Sequence, residues 1–254
     1  MNELCSVIMP AYNSEQYIAA AIESVLKQTY RNIEMIIVDD CSSDNTAAII
    51  CEYAKKDKRI KFLQNNKNLG CAESRNRAVA MCGGEYVAFI DSDDIWKSEK
   101  LSLELEALSK LGCDAAYTAY EMIDNDGSLI KKRLVPNTAT INALLKENFI
   151  CFSSVLVKAD IAKSHLMSSD FFHEDYCYLL SLLNDGAKFT GLNKTLVQYR
   201  LSRQNRSKNK LKAAKYRWLI YRKYLNLGLL KSYKCFACYF INGLKKYYGQ
   251  SEAL

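Results

Sequence analysis

Tyr86-Val87-Ala88-Phe89-Ile90-Asp91-Ser92-Asp93-Asp94 is the stretch on which the reading of this chain turns. Its first five residues form a short, almost continuously apolar run, as a strand buried on both faces does. The run breaks directly into four polar residues, three of them acids. Two carboxylates spaced i, i+2 beyond a strand end can converge on one hard cation, with phosphate oxygens completing its shell. The bland alternative is a polar turn that caps a helix starting near Lys97. What lies on either side weighs against that alternative.

Upstream, three more short apolar runs occur at residues 5–9, 33–38 and 60–63, the first stopping at Pro10. Between them the spacing is helical. Asn13 or Ser14 is placed to cap a helix carrying Ile18, Ile22, Val25 and Leu26, and Asp44 one carrying Ala47, Ile50, Cys51 and Ala54. A third helix is predicted over residues 72–81. The resulting β-α-β-α-β-α-β order predicts an α/β fold with a parallel sheet and helices on both faces. In such sheets ligands bind beyond the carboxyl ends of the strands. The polar clusters sit at those ends: residues 10–13, Asp39-Asp40, and residues 91–94. Downstream, the pattern predicts a helix over 97–111, a strand over 115–123, and a turn at Asn125-Asp126-Gly127 that folds 129–134 back as a hairpin. A helix over 141–146, a strand over 153–157, a helix over 170–183 and a strand over 195–201 follow. Beyond Asn209 two helices are expected, broken near Gly228.

Composition narrows the class. Hydrophobic residues make up 49% and charged residues 25%, which argues against disorder, and 2 Pro with 10 Gly leave no linker-rich segment. The net charge of +7 is localised, because residues 208–254 hold 11 Lys and Arg against the single acid Glu252. Residues 1–207 are mildly acidic, so the basicity belongs to the tail. The N-terminus lacks a basic leader, and the longest uncharged tail run, 235–244, is too short to cross a bilayer. Ten scattered Cys suit a reducing, cytoplasmic setting. Cys235 and Cys238 have CxxC spacing without a second pair, which reads as packing, and no metal is assigned to them.

The motifs converge on a known family. Pro10-Ala11-Tyr12-Asn13, with residues 24–30 (SVLKQTY), resembles the opening of family 2 glycosyltransferases, which have the GT-A fold. Asp39-Asp40 with Ser42 and Asp44 is similar to their DDxSxD element. Asn68-Leu69-Gly70 and Ser74-Arg75-Asn76 are similar to their NxG and ARN segments. Gly84-Glu85-Tyr86 leading into Asp91-Ser92-Asp93-Asp94 resembles their DxD region. Glu174-Asp175 resembles their ED pair, and Tyr199-Arg200 a late YR element. Six elements in order across residues 4–207 make coincidence improbable.

That resemblance implies a GT-A domain over residues 1–207, with a nucleotide-binding half at about 1–96 and an acceptor half at about 97–207, followed by a basic aromatic helical tail at 208–254. It implies transfer of a sugar from a nucleoside diphosphate, a UDP-sugar above all, to a glycan hydroxyl with inversion. Pro10, Ala11, Tyr12, Asn13, Asp39, Asn68, Gly70, Arg75, Asp91 and Ser92 would surround the nucleotide sugar. Asp93, with Asp91, would hold Mn²⁺ or Mg²⁺. Asp175 would be the general base, beside Glu174. The expected acceptor is a polyprenyl-diphosphate-linked glycan of bacterial surface polysaccharide synthesis, O-antigen or capsule. One departure stands out: Ser202 occupies the place where many relatives carry a His; Arg200, Arg203 and Arg206 nearby read as an exposed charged loop, or as compensating contacts to phosphate.

Two other classes compete. A haloacid-dehalogenase-type phosphatase would use Asp91 as nucleophile, but that motif usually continues to Thr or Val where this chain has Ile95. A non-catalytic nucleotide-binding scaffold would keep Asp39 and Asp93 without transfer. No GxGxxG follows the first strand, which excludes a dinucleotide-binding dehydrogenase. The tail interleaves Lys and Arg with Tyr, Trp and Phe, as a helix at an anionic membrane surface does, or as aromatics packed on the body with Lys facing water do. It contains no nucleic-acid-binding module. The expected location is cytoplasmic, peripheral on the inner membrane.

Overall fold

The alternation in residues 5–90 folds as β1 (Cys5–Ala11), α1 (Ile18–Leu26), β2 (Ile33–Asp39), α2 (Thr46–Lys56), β3 (Ile60–Gln64), α3 (Cys71–Met81) and β4 (Tyr86–Phe89). These elements belong to a computed structural model that describes residues 3–171, 173–201 and 210–248. Next come β5 (Ile95–Trp96), α4 (Lys100–Leu111), β6 (Ala115–Ile123), β7 (Leu129–Arg133), β8 (Thr138–Ala139) and α5 (Ile141–Lys146). A 3-10 turn (Phe152–Ser154), β9 (Leu156–Lys158), α6 (Ala159–Ser164), α7 (Glu174–Asn184) and β10 (Phe189–Arg200) complete the body. Then follow α8 (Lys210–Leu219), a π-helical stretch (Ile220–Tyr224) and α9 (Leu229–Tyr248).

Ten strands form one sheet in the order β3-β2-β1-β4-β9-β6-β10-β5, with β7 on β6 and β8 on β10. The first four are parallel throughout, and β6 with β10 is parallel too. Antiparallel β9 joins the two parallel parts. Alternation along the strands sorts the core into two faces. Ile8, Ile36, Val38, Val87 and Phe89 pack with α3, α5, α6, α7 and the C-terminal helices. Val7, Met9, Met35, Ile37 and Ile90 pack with α1, α2 and α4. The three-layer α/β architecture expected of a GT-A fold is what forms.

Local departures have physical causes. β1 runs through Pro10 to Ala11, in register with Val38 and Asp39. The Ile8 carbonyl accepts from Ile90 on the β4 side, so Pro10, two residues on, directs its missing N–H to that same side, where pairing has ended. Neither Asn13 nor Ser14 caps α1 with its side chain; the Ser14 carbonyl accepts from Tyr17 and Ile18 instead. Asp44 does accept the Thr46 N–H at the start of α2. The strand expected over 153–157 is displaced by the 3-10 turn and begins at Leu156. The strand expected over 195–201 begins earlier, at Phe189, because β10 is bulged between Leu192 and Val197 and loses its period-two signal there.

The C-terminal helices pack on the body with one side. Tyr221 and Cys235 are buried in the main core. Tyr176, Tyr221 and Asn242 donate to the carbonyls of Leu144, Leu145 and Lys146, which are the unsatisfied C-terminal acceptors of α5. Among the described residues no helix is long and apolar enough to cross a membrane.

Candidate active site

Three strand ends build one rim. At the end of β1, Pro10 and Ala11 are buried while Tyr12 is 51% exposed. Asn13 follows in the left-handed region at φ 46°, which Asn tolerates better than most residues. Its Oδ1 accepts the Ser43 N–H at 2.9 Å, and its own N–H donates to Ser42 Oγ at 3.0 Å. Ser14 Oγ meets Ser92 Oγ at 2.7 Å, tying the β1 end to the loop after β4.

At the end of β2, Asp39 is fully buried. It accepts the Ser42 N–H and Gln64 Nε2, each at 3.2 Å, and the Ser42 hydroxyl. Two carboxylate oxygens offer about four acceptor directions, so one stays available to a ligand donor. Asp40 turns the other way, with Cys41 at φ 63° completing the turn. It accepts the N–H groups of Leu69 and Gly70, each at 2.8 Å, and Asn65 Nδ2 at 2.6 Å. Asp40 therefore holds the 65–70 loop, whose Asn68 is exposed and whose Gly70, at φ 86°, uses the conformational freedom of glycine.

At the end of β4, Asp91 donates its N–H to Ser153 Oγ at 3.0 Å and accepts from Arg75 Nη2 at 2.6 Å. Burial, reinforced by the Asp91 charge, pushes the Asp93 carboxyl up to about 6. Asp94 is wholly buried and accepts the Ser153 hydroxyl and the Arg200 N–H. Burial first, then Asp93 and Asp91, hold its carboxyl well above the usual range. Arg200 also donates to the backbone carbonyls of Asp93, Asp124 and Asn125 and stacks over Tyr17, 4.5 Å from the ring centre.

Arg75 joins this rim to the ED pair. Expected at the diphosphate, it is buried on α3 between two carboxylates: Asp91 at 2.6 Å and Glu174 at 3.5 Å. Its guanidinium lies 4.6 Å from the Phe152 ring centre. Burial works against its charge, but Cys71, Asp91, Glu174 and Asp175 more than offset this and raise its affinity for the proton. Glu174 is likewise buried, whereas Asp175 in the same first turn of α7 is partly exposed and accepts the Tyr176 N–H at 2.7 Å. A cavity of about 230 Å³ lies beside this bridge, lined by Gly70, Cys71, Glu174 and Phe171 among others, with Tyr216 of α8 contributing to its wall.

Direct contacts thus gather Asp91, Arg75 and Glu174, with Asp175 within the field of Arg75; Asp39 connects to Ser92 through Ser42, Asn13 and Ser14. Sequence reasoning missed the anchoring parts of Asp40, Asp94 and Arg200. Each belongs to a quoted motif, but only tertiary contacts separate an anchor from a ligand. Ser202, Arg203 and Arg206 lie outside the described residues. His165 bonds Asp185, at the far end of α7.

No group of three or more metal-ligating side chains occurs among the described residues. Asp93 and Asp91 nevertheless fit a hard cation that takes most of its shell from phosphate and water. They supply carboxylate oxygens, and the carboxyl of Asp93, raised first by burial and then by the Asp91 charge, is one that a bound cation would lower.

The architecture is that of the GT-A glycosyltransferases. Staphylococcus aureus TarS (residues 1–349, in complex with UDP-GlcNAc) superposes with a TM-score of 0.74 over 96% of this chain and 73% of that one, at 23% identity. The mannosyltransferase PcManGT from Pyrobaculum calidifontis, in complex with GDP-Man and Mn²⁺, superposes at 0.70 over 93% and 68%, at 14% identity. The chain belongs to glycosyl transferase family 2, whose sequence profile matches residues 6–164, and it is a glycosyltransferase. It is 38% identical to the putative teichuronic acid biosynthesis glycosyltransferase TuaG of Bacillus subtilis, over 96% of this chain and 97% of the relative. It is 39% identical to the Escherichia coli UDP-Glc:alpha-D-GlcNAc-diphosphoundecaprenol beta-1,3-glucosyltransferase WfgD, over 96% and 95%. Family membership replaces the phosphatase and scaffold alternatives.

Proposed function

We propose that the protein transfers a sugar from a UDP-sugar, with inversion, to a hydroxyl of a polyprenyl-diphosphate-linked glycan in bacterial surface polysaccharide synthesis. The observation that carries this reading is the Asp91–Arg75–Glu174 bridge, which ties the nucleotide-side rim to the helix start bearing Asp175. The names of TuaG and WfgD support the pathway class, and WfgD's name supports a UDP-linked donor and an undecaprenol-linked acceptor. A β linkage is what inversion at an α-configured sugar nucleotide produces.

Residues 1–96 form the donor half and 97–207 the acceptor half. Asp39 accepts the uracil imide N–H, a charge-assisted bond. Pro10, Ala11, Tyr12, Asn13, Asn68, Gly70 and Ser92 line the nucleotide sugar, and Arg75 positions Asp91 and Glu174. Asp93 and Asp91 would hold Mn²⁺ or Mg²⁺, which would supply positive charge to the departing diphosphate. Asp175 takes the acceptor hydroxyl proton as its oxygen bonds to the anomeric carbon and the bond to the diphosphate breaks. The protein works at the cytoplasmic face of the membrane, held there through residues 208–254.

Asp175→Asn is the test. Removal of a positioned base lowers turnover by ~10²–10⁴-fold, while the thermal shift produced by UDP-sugar with Mn²⁺ persists because bound donor stabilises by mass action. Unaltered turnover in a folded Asp175→Asn protein removes Asp175 from the role.

A further inference from the structure

We propose that one face of α9, carrying Leu229, Leu230, Tyr233, Phe240 and Ile241, is the surface that docks on an anionic lipid bilayer. It rests on the membrane-linked acceptor proposed above and narrows the membrane contact from a 47-residue tail to five side chains and two lysines. These five residues are 50–76% exposed. At about 100° per residue they fall within an arc of roughly 120° on the helix. Ser232 and Cys235, on the opposite side, are buried, and Asn242 donates to the Lys146 carbonyl.

The exposed face is presented by a braced element. Arg217 of α8 is buried with its guanidinium 3.7 Å from the Tyr176 ring centre and 4.8 Å from that of Tyr239. Trp218 packs edge-on against Phe236 at 5.6 Å. The inward aromatics of α8 and α9 are therefore engaged, and Tyr233 of the open face also stands edge-on to Trp218 at 6.4 Å while staying 72% exposed; one side of the tail packs on the body and the other remains open to a partner. Tyr216, one residue before Arg217, lines the cavity beside Glu174, so a single helix joins the docking element to the site.

Charge selects the occupant. Lys234 is exposed at one border of the apolar arc and Lys231 is exposed farther round on the same side, and no acid occurs among the 20 residues of α9. Two copies packed antiparallel through this face would set lysines against lysines, whereas anionic headgroups complement them. At roughly 30 Å long, with this polarity, the helix lies in the interface with its apolar side chains in the headgroup layer.

The test is flotation of the full chain with phosphatidylcholine vesicles, with and without phosphatidylglycerol. The wild type floats with the anionic vesicles. Leu230→Glu with Phe240→Glu lowers the bound-to-free ratio by at least about tenfold. Lys231→Gln with Lys234→Gln lowers it by about thirtyfold, two lysines at ~1 kcal/mol each. Both variants retain the wild-type melting temperature, and release UDP from UDP-glucose without vesicles within about twofold of wild type. Equal flotation of variants and wild type overturns the proposal, as does a wild type that stays in solution. A wild-type dimer that Leu230→Glu with Phe240→Glu dissociates assigns the face to a second copy and also overturns it. Vesicle binding without sugar transfer supports the docking face and sinks the transfer reading instead.

Discussion

Adjacent acids in this protein do different work, and Arg75 is where the difference matters most. Asp40, Asp94 and Glu174 are consumed by backbone N–H groups, hydroxyls or Arg75, while their neighbours Asp93 and Asp175 keep carboxylates on the partly exposed side. Arg75 neutralises one acid from each half of the site while itself buried. Removing one member of a buried charged cluster strands the others, at a cost of about 3–5 kcal/mol. Arg75→Ala is therefore expected to lose about that much stability in urea titrations, together with most of its turnover. Arg75→Lys restores the charge without the two-pronged guanidinium. It should recover stability further than activity; a variant that regains both equally would reduce Arg75 to a point charge.

At the scale of elements, β10 shows how a close approach constrains a strand. A Cβ on Gly191 would collide with the Pro136 carbonyl and the Tyr117 ring, in the stretch where Tyr117 donates its hydroxyl to that same carbonyl. Gly191→Ala must displace backbone, and overpacking of this kind costs about 1–3 kcal/mol. A lowered melting temperature with unchanged UDP-sugar affinity is expected, because Gly191 lies at the beginning of β10, away from the rim that Arg200 joins. The helical elements were the most legible in sequence: α1 and α2 follow from apolar spacing, and α3 and α4 form within three residues of the ranges expected, 72–81 and 97–111. β8 and α6 were not, since two residues of strand and six of helix hold too little periodicity to register.

Taken as a whole, the molecule carries a buried ionic pair that tests its pH response. Lys100 and Glu104, both fully buried on α4, meet at 2.7 Å, with the Lys100 ammonium 4.1 Å from the Trp96 ring centre. Burial pushes the Glu104 carboxyl from 4.5 up to about 7 against the pull of Lys100. The folded state then holds a proton that the unfolded chain has released. This contribution to stability is full below about 4.5 and declines as pH rises toward 7. Calorimetry across that window should show a falling component that Glu104→Gln removes; an identical pH profile in the variant would place the titration elsewhere.

The amino-acid sequence alone determined the α/β alternation, the polar strand ends and the family, because hydrophobic period and turn chemistry are local and survive without neighbours. It also located the tail's charge. Tertiary structure alone decided which acid of each pair is an anchor, that Arg75 bridges the two halves, and which side of α9 faces out. Those outcomes depend on partners 16 to 106 residues away in the chain. No local pattern encodes which side of a helix a distant tyrosine or carbonyl will occupy.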